Sequence, residues 1–290
     1  MTAAPVFPDY DATLRELPTH NGVLRYHEYG DGPPLVLLHG SGPGVSGWRN
    51  FRGNISVFGE HFRCLVLEFP GFGVSDDWGG HPMSTALSAL ELFVDELELE
   101  TFDVVGNSMG GGVGIGYDLA HPGRIGKLVT IGGVGRNIFS PGPGEGIKLL
   151  QEFTENPTRE ALTQWLNSMV YDPAVVTEQL IEERWRLAVD PIALESARRM
   201  YGRVAFTEMM RAMHESDAPP QWSMLHKVRA KTLITWGRDD RVSPLDMALI
   251  PMRLIPNVEL HVFPNCGHWA MIEAKADFER TVRSFLLQKN

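Results

Sequence analysis

The sequence predicts an α/β fold: a mostly parallel central sheet flanked by helices, with a helical segment inserted between two strands. Three observations lead there. Short apolar runs recur and end abruptly at glycine or proline. Helical patterns separate those runs. One long stretch, residues 137–211, holds helical patterns and no convincing strand.

Taken in order, residues 35–38 (Leu-Val-Leu-Leu) form a buried strand stopped by His39-Gly40, and residues 64–67 a second, stopped by Pro70-Gly71. A helix follows over 86–97. Residues 102–105 make a third strand, stopped by Gly106, and 110–120 the next helix. Residues 128–131 make a fourth strand, stopped by Gly132-Gly133. After the insertion, with helices over 159–170 and 177–189, come strands at 232–236 and 258–263. Strands alternating with helices imply βαβ units, and ligands of such sheets bind beyond the carboxyl ends of the strands. The expected division is a core of residues 1–136 and 212–290 with a helical lid of residues 137–211.

Composition narrows the function classes. The chain has 290 residues, 43% apolar and 21% charged, which is ordinary for a globular enzyme-sized domain and excludes a disordered, collagen-like or coiled-coil chain. Its 26 basic against 36 acidic residues leave a net charge of −10, a poor match to nucleic acid or an anionic membrane surface. No apolar run is long enough to span a bilayer. The N-terminal residues show no basic segment followed by an apolar stretch, so the expected compartment is the cytoplasm. Two cysteines, Cys64 and Cys266, do not suggest a disulfide framework.

The sharpest motif is Gly106-Asn107-Ser108-Met109-Gly110, a G-x-S-x-G placed after a strand and before a helix. There a sharp turn exposes the serine hydroxyl at a helix N-terminus. A serine nucleophile needs a base, and the base an orienting acid, in the chain order serine, acid, histidine. Asp239 or Asp240 follows the strand at 232–236, and His268 follows the strand at 258–263. A glycine-rich loop, His39-Gly40-Ser41-Gly42-Pro43-Gly44, offers unhindered backbone N–H groups, one of which could pair with that of Met109 around an oxyanion. The histidines show no metal-binding spacing. The same loop supports a rival: Gly42-x-Gly44-x-x-Gly47 with Glu68 about 20 residues on fits a dinucleotide fingerprint, hence an oxidoreductase.

Together the segments 39–44, 47–51 (Gly-Trp-Arg-Asn-Phe), 106–111, 236–241 (Trp-Gly-Arg-Asp-Asp-Arg) and 266–269 (Cys-Gly-His-Trp) resemble the α/β-hydrolase family and, within it, the meta-cleavage product hydrolases. The resemblance runs from about residue 21 to 287. It implies cleavage of a carbon–carbon bond in 2-hydroxy-6-oxo-dienoates from aromatic or steroid catabolism. The products would be 2-hydroxypenta-2,4-dienoate and a carboxylic acid, and no metal or organic cofactor would be needed. It further implies Ser108 as nucleophile, His268 as base and Asp240 as the acid, with the oxyanion hole formed by the N–H groups of Ser41 and Met109. Gly40, Gly42, Asn50, Asn107 and Trp269 would line the substrate subsite, and Arg184 on the lid would bind the substrate carboxylate. The expected partner is a small-molecule dienoate, and the expected assembly a homo-oligomer. A carboxylesterase or lactonase with the same triad and a non-catalytic ligand receptor remain the other readings.

Overall fold

The computed structural model describes residues 7–289, apart from the side chains of residues 213 and 214. The reading of residues 1–6 as free of a leader therefore lies outside the described residues. The strands are β1 (Leu14–Thr19), β2 (Gly22–Tyr29), β3 (Pro34–Leu38), β4 (Arg63–Glu68), β5 (Phe102–Asn107), β6 (Ile125–Ile131), β7 (Lys231–Gly237) and β8 (Val258–Phe263). The helices are α1 (Tyr10–Thr13), α2 (Gly47–Phe51), α3 (Ile55–Phe58), α4 (Pro82–Glu96), α5 (Met109–Ala120), α6 (Glu145–Glu155) and α7 (Arg159–Met169). They continue with α8 (Glu178–Ala188), α9 (Pro191–Tyr201), α10 (Arg203–Glu215), α11 (Leu249–Leu254), α12 (Ala270–Glu273) and α13 (Lys275–Leu286).

All eight strands form one sheet in the order β1-β2-β4-β3-β5-β6-β7-β8. From β4 to β8 the pairing is parallel; β1 and β2 are antiparallel additions at one edge. The expected α/β class and mostly parallel sheet are borne out. The alternation of side chains along each strand divides the core in two. Leu35, Leu37, Cys64 and Val66 face a layer containing Phe51, Phe58, Phe278 and Phe285. Val36, Leu38, Leu65 and Leu67 face the opposite layer, with Leu90, Phe93, Val113 and Tyr117. Both faces are covered, which is why the central strands read as unbroken apolar runs.

The six strands expected from sequence match β3 to β8 within a few residues. Those not foreseen, β1 and β2, read differently for a physical reason. β1 is an edge strand of mixed polarity, Leu-Arg-Glu-Leu-Pro-Thr, partly or fully exposed along its length. Pro18 is tolerated there because an edge strand can spare an N–H. Helices α6 to α10 all lie between β6 and β7. Threonine or aspartate side chains cap three of them: Thr158 on α7, Thr177 on α8 and Asp190 on α9. No helix among the described residues is long and apolar enough to cross a membrane.

Close backbone approach sets the position of α5. A Cβ on Gly110 would lie 2.2 Å from the carbonyl oxygen of Leu38, at the end of β3. One on Gly112 would meet only the flexible end of Met83, at 3.6 Å. Substitutions two residues apart should therefore have opposite signs. Gly110→Ala should lower unfolding free energy by about 3 kcal/mol. Gly112→Ala should raise it by about 0.5 kcal/mol through the stiffer unfolded chain. Urea unfolding midpoints of the two variants test this; equal effects would contradict it.

Candidate active site

The β5–α5 turn carries Ser108 in a backbone conformation that side-chain-bearing residues rarely adopt, φ +51° and ψ −110°. Its N–H donates to the carbonyl of Ile131, at 2.9 Å. The Asn107 amide donates to the same oxygen, at 3.1 Å. The neighbouring turn is kept free of side chains. A Cβ on Gly133, itself at φ +70°, would press to 2.6 Å from Ser108 Cα and 2.9 Å from its Oγ. The strained serine is thus locked between β5 and β6 with its hydroxyl facing a cavity of about 370 Å³.

His268 lies on the same cavity wall. Its Nδ1–H donates to Asp240 Oδ2 at 2.7 Å, and both side chains are buried. The other carboxylate oxygen of Asp240 accepts from the N–H groups of Val242 and Ser243, each at 2.8 Å. Those bonds fix the orientation of the carboxylate, with Oδ2 aimed at the ring. Trp236 steadies this turn by donating its indole N–H to Ser243 O at 2.8 Å. Asp239, the other candidate acid, turns away to Arg238. With Nδ1 engaged by Asp240, Nε2 is the ring nitrogen left for proton transfer, in the cavity that Ser108 also lines.

Gly40, Ser41, Gly42, Asn107, Met109, Arg184 and Trp269 also line this cavity. Asn50 does not. It is buried beside Asn107 and donates its amide to Asn107 Oδ1 at 2.9 Å, while its own Oδ1 has no hydrogen-bond partner. The loop bearing Ser41 is fixed from beneath by His39. That ring donates from Nδ1 to Gly40 O (2.6 Å) and accepts at Nε2 from the Phe69 N–H (3.0 Å). Burial holds it down at about 4, so the ring stays neutral.

Arg184 is the outlier in electrostatics. It is 1% exposed, its Cζ lies 4.8 Å from the centre of the Trp269 ring, and its Nε has no hydrogen-bond partner. Arg49 and Arg52 reach Glu183, but no ion pair involves Arg184 among the described residues. Burial first, then the nearby Arg49 and Arg52 guanidiniums, push it down to about 9. It remains a cation at neutral pH, held without a counter-ion in the cavity that holds Ser108.

Glu68 disposes of the dinucleotide rival. It is buried, and its carboxylate accepts from the N–H groups of Gly47 and Trp48 at 2.7 and 2.8 Å, at the start of α2. It faces the protein interior, not a ribose. Three features escaped the sequence reading: the positioning role of His39, the bare Gly132-Gly133 turn beside the serine and histidine, and Tyr201, whose hydroxyl meets Ser41 Oγ. His39 sat in a quoted motif. Tyr201 lies 160 residues from its partner and gave no local signal.

A serine turned out of a parallel sheet on a strained elbow, sharing one cavity with a histidine that an aspartate orients, the two delivered by the ends of β7 and β8, defines a serine hydrolase of the α/β-hydrolase class. The α/β hydrolase fold family matches residues 33–275. The chain is 35% identical over 286 residues to a 2-hydroxy-6-oxo-6-phenylhexa-2,4-dienoate hydrolase of Comamonas testosteroni, covering 96% of each chain. It is 40% identical over 271 residues to a 2-hydroxy-6-oxononadienedioate/2-hydroxy-6-oxononatrienedioate hydrolase of Paraburkholderia phymatum, covering 91% of each. Among solved structures, a meta-cleavage product hydrolase of Pseudomonas fluorescens superposes with a TM-score of 0.83 at 29% identity, covering 94% of this chain and 97% of that one. The chain belongs to the meta-cleavage product hydrolases of the α/β hydrolase family, as the sequence motifs led us to expect.

The unpartnered Arg184 guanidinium yields a stability prediction. Replacing an uncompensated buried charge with an apolar side chain of similar length removes a desolvation cost. Arg184→Met should raise unfolding free energy by about 1–3 kcal/mol in urea titrations without added ligand. A loss of stability would mean that stacking on Trp269 outweighs the buried charge.

Proposed function

We propose that this protein hydrolyses the carbon–carbon bond between C5 and C6 of 2-hydroxy-6-oxo-hexa-2,4-dienoates, releasing 2-hydroxypenta-2,4-dienoate and a carboxylic acid. The observation that carries the reading is Arg184: a buried guanidinium without a counter-ion, on the wall of the serine cavity. A planar fork of donors suits a carboxylate, and the dienoate head supplies one. An ester hydrolase acting on neutral substrates has no use for that charge.

The chemistry follows from the groups available. Moving the 2-hydroxyl proton to C5 gives the 2-keto form, in which the C2 carbonyl is conjugated through C3=C4 to C5 and can receive an electron pair. Ser108 then adds to the C6 carbonyl while His268 takes its proton. The N–H groups of Ser41 and Met109 meet the developing oxyanion. The C5–C6 bond breaks, its electrons pass to the C2 oxygen, and that oxygen takes up a proton to leave the dienol. Water, activated by His268, releases the acyl group from Ser108 as the acid. Asp240 keeps the imidazolium in place throughout. A second cavity of about 380 Å³ shares Val134, Gly135 and Gln221 with the first, which leaves room for the substituent on C6. This reading includes the homo-oligomer that the resemblance implies and the cytoplasmic setting expected from the N-terminal sequence; light scattering checks the first and cell fractionation the second.

The test follows the visible absorbance of 2-hydroxy-6-oxo-6-phenylhexa-2,4-dienoate, which fades as cleavage shortens the conjugated system. Ser108→Ala should lower kcat by at least about 10³-fold. Arg184→Gln should raise KM for the dienoate by about 100-fold, the loss expected of a desolvated charge pair, while changing KM for 4-nitrophenyl acetate less than about threefold. Ester hydrolysis without dienoate consumption would establish an esterase instead.

A further inference from the structure

Among the described residues, the lid's one side-chain hydrogen bond to the Ser41 loop is a hydroxyl pair. Tyr201, the last residue of α9, places its OH 2.5 Å from Ser41 Oγ, and both residues line the serine cavity. Ser41 Oγ makes no other hydrogen bond among the described residues, and neither does the Tyr201 hydroxyl. The helix that carries Tyr201 is itself pinned to the core: Arg199 forks onto both carboxylate oxygens of Asp77, at 2.7 and 2.9 Å. The rest of the loop is equally pressed by the lid. A Cβ on Gly42 would run into the Trp165 ring at 2.3 Å, and one on Gly44 into the Arg184 carbonyl at 2.2 Å. Residues 41 to 44 therefore have helices α7, α8 and α9 as their ceiling and His39 as their floor.

We infer that Tyr201 is a positioning residue for catalysis: its hydroxyl fixes Ser41 so that the N–H of Ser41 points at the oxyanion only when the lid is seated. This rests on the reading of Ser41 as an oxyanion donor. The glycines that make the loop accessible also make it mobile, and a donor aimed at a transient oxyanion must be held before the oxyanion forms. A backbone N–H cannot be held by its own side chain on a glycine-flanked loop, so the bond from Tyr201 supplies the missing restraint. Because α8 bears Arg184 and α9 bears Tyr201, seating the substrate carboxylate and completing the oxyanion hole become one event.

The experiment compares wild type, Tyr201→Phe, Ser41→Ala and the double variant on the phenyl dienoate and on 4-nitrophenyl acetate. Inhibition by phenylboronic acid, which forms a tetrahedral adduct on a nucleophilic serine, is read alongside. Tyr201→Phe should lower kcat about 10- to 100-fold on both substrates, part of what loss of a whole donor costs. KM should stay within about threefold, and the boronic acid inhibition constant should rise by the same factor as kcat falls. Ser41→Ala should behave alike, and the double variant should be no worse than about twofold beyond either single one. Losses that multiply in the double variant, a loss carried by KM, or unchanged boronic acid affinity would each overturn the inference. If Tyr201→Phe does not fold, Ser41→Ala removes the same bond from the loop side and is read by the same criteria. Wild-type failure on the dienoate with ester hydrolysis intact would sink the substrate reading alone, since the ester still reports on the oxyanion hole.

Discussion

The structure is organised around one strained residue. Ser108 sits at φ +51°, a conformation that costs on the order of 1–3 kcal/mol and persists only where the surroundings over-determine it. Here they do. The carbonyl of Ile131 accepts from both Ser108 and Asn107, so the register of β5 against β6 fixes the turn from one side. The contact of Gly110 with Leu38 fixes α5 from the other. Two parallel strand pairs and a helix N-terminus therefore converge on a single hydroxyl. Everything else in the site is placed relative to it by strand order: β7 and β8 lie beyond β6 in the sheet, and their carboxyl ends deliver Asp240 and His268 at the same edge.

Around that point the buried polar groups fall into two kinds. Asp240, His39 and Glu68 are each satisfied by the protein: backbone N–H groups, a carbonyl or an imidazole take up their capacity. Burial keeps His39 neutral and pushes the Glu68 carboxyl up to about 7, yet neither lacks a partner. The fold itself satisfies all three. Arg184 differs because its charge faces the cavity and nothing in the fold neutralises it. A fold under selection for stability alone would not hold a guanidinium there. The balance changes only when an anion occupies the cavity, so the position makes sense as half of an ion pair whose other half arrives with the ligand.

Much of this was legible in the sequence, and what was not has identifiable causes. Strands β3 to β7 announce themselves because both faces are buried, β8 by the alternation of Val258, Leu260 and Val262 with exposed Glu259 and His261, and each of their ends carries glycine, proline or a turn. β1 and β2 do not, because an antiparallel edge with one wet face mixes Arg, Glu and Pro into its pattern. The local motif around Ser108 states its own geometry, and the order of strand ends brings Asp240 and His268 into view. Asn50 could not be placed from sequence, because its contact with Asn107 depends on how the fold brings two distant segments together. Tyr201 and Ser41 are adjacent only in space, so neither residue carried a signal of the other.

The placement of the lid is a consequence of the same topology. A parallel strand ends at the carboxyl edge, and the chain leaving β6 is already above the nucleophile when it begins its crossover to β7. An insertion at that crossover falls over the site by default, whereas one at the opposite edge would lie far from it. The helices then need few contacts to take part in the chemistry. The last residue of α7, Met169, accepts the backbone N–H of His268 at 2.7 Å, α8 brings Arg184, and α9 brings Tyr201. Each of three successive helices thus brings one group to the cavity or its surround: a carbonyl to the His268 N–H, the Arg184 guanidinium, and a hydroxyl to Ser41. The inserted helices are consequently part of the cavity wall, and their sequence shapes the cavity as directly as the residues of the sheet.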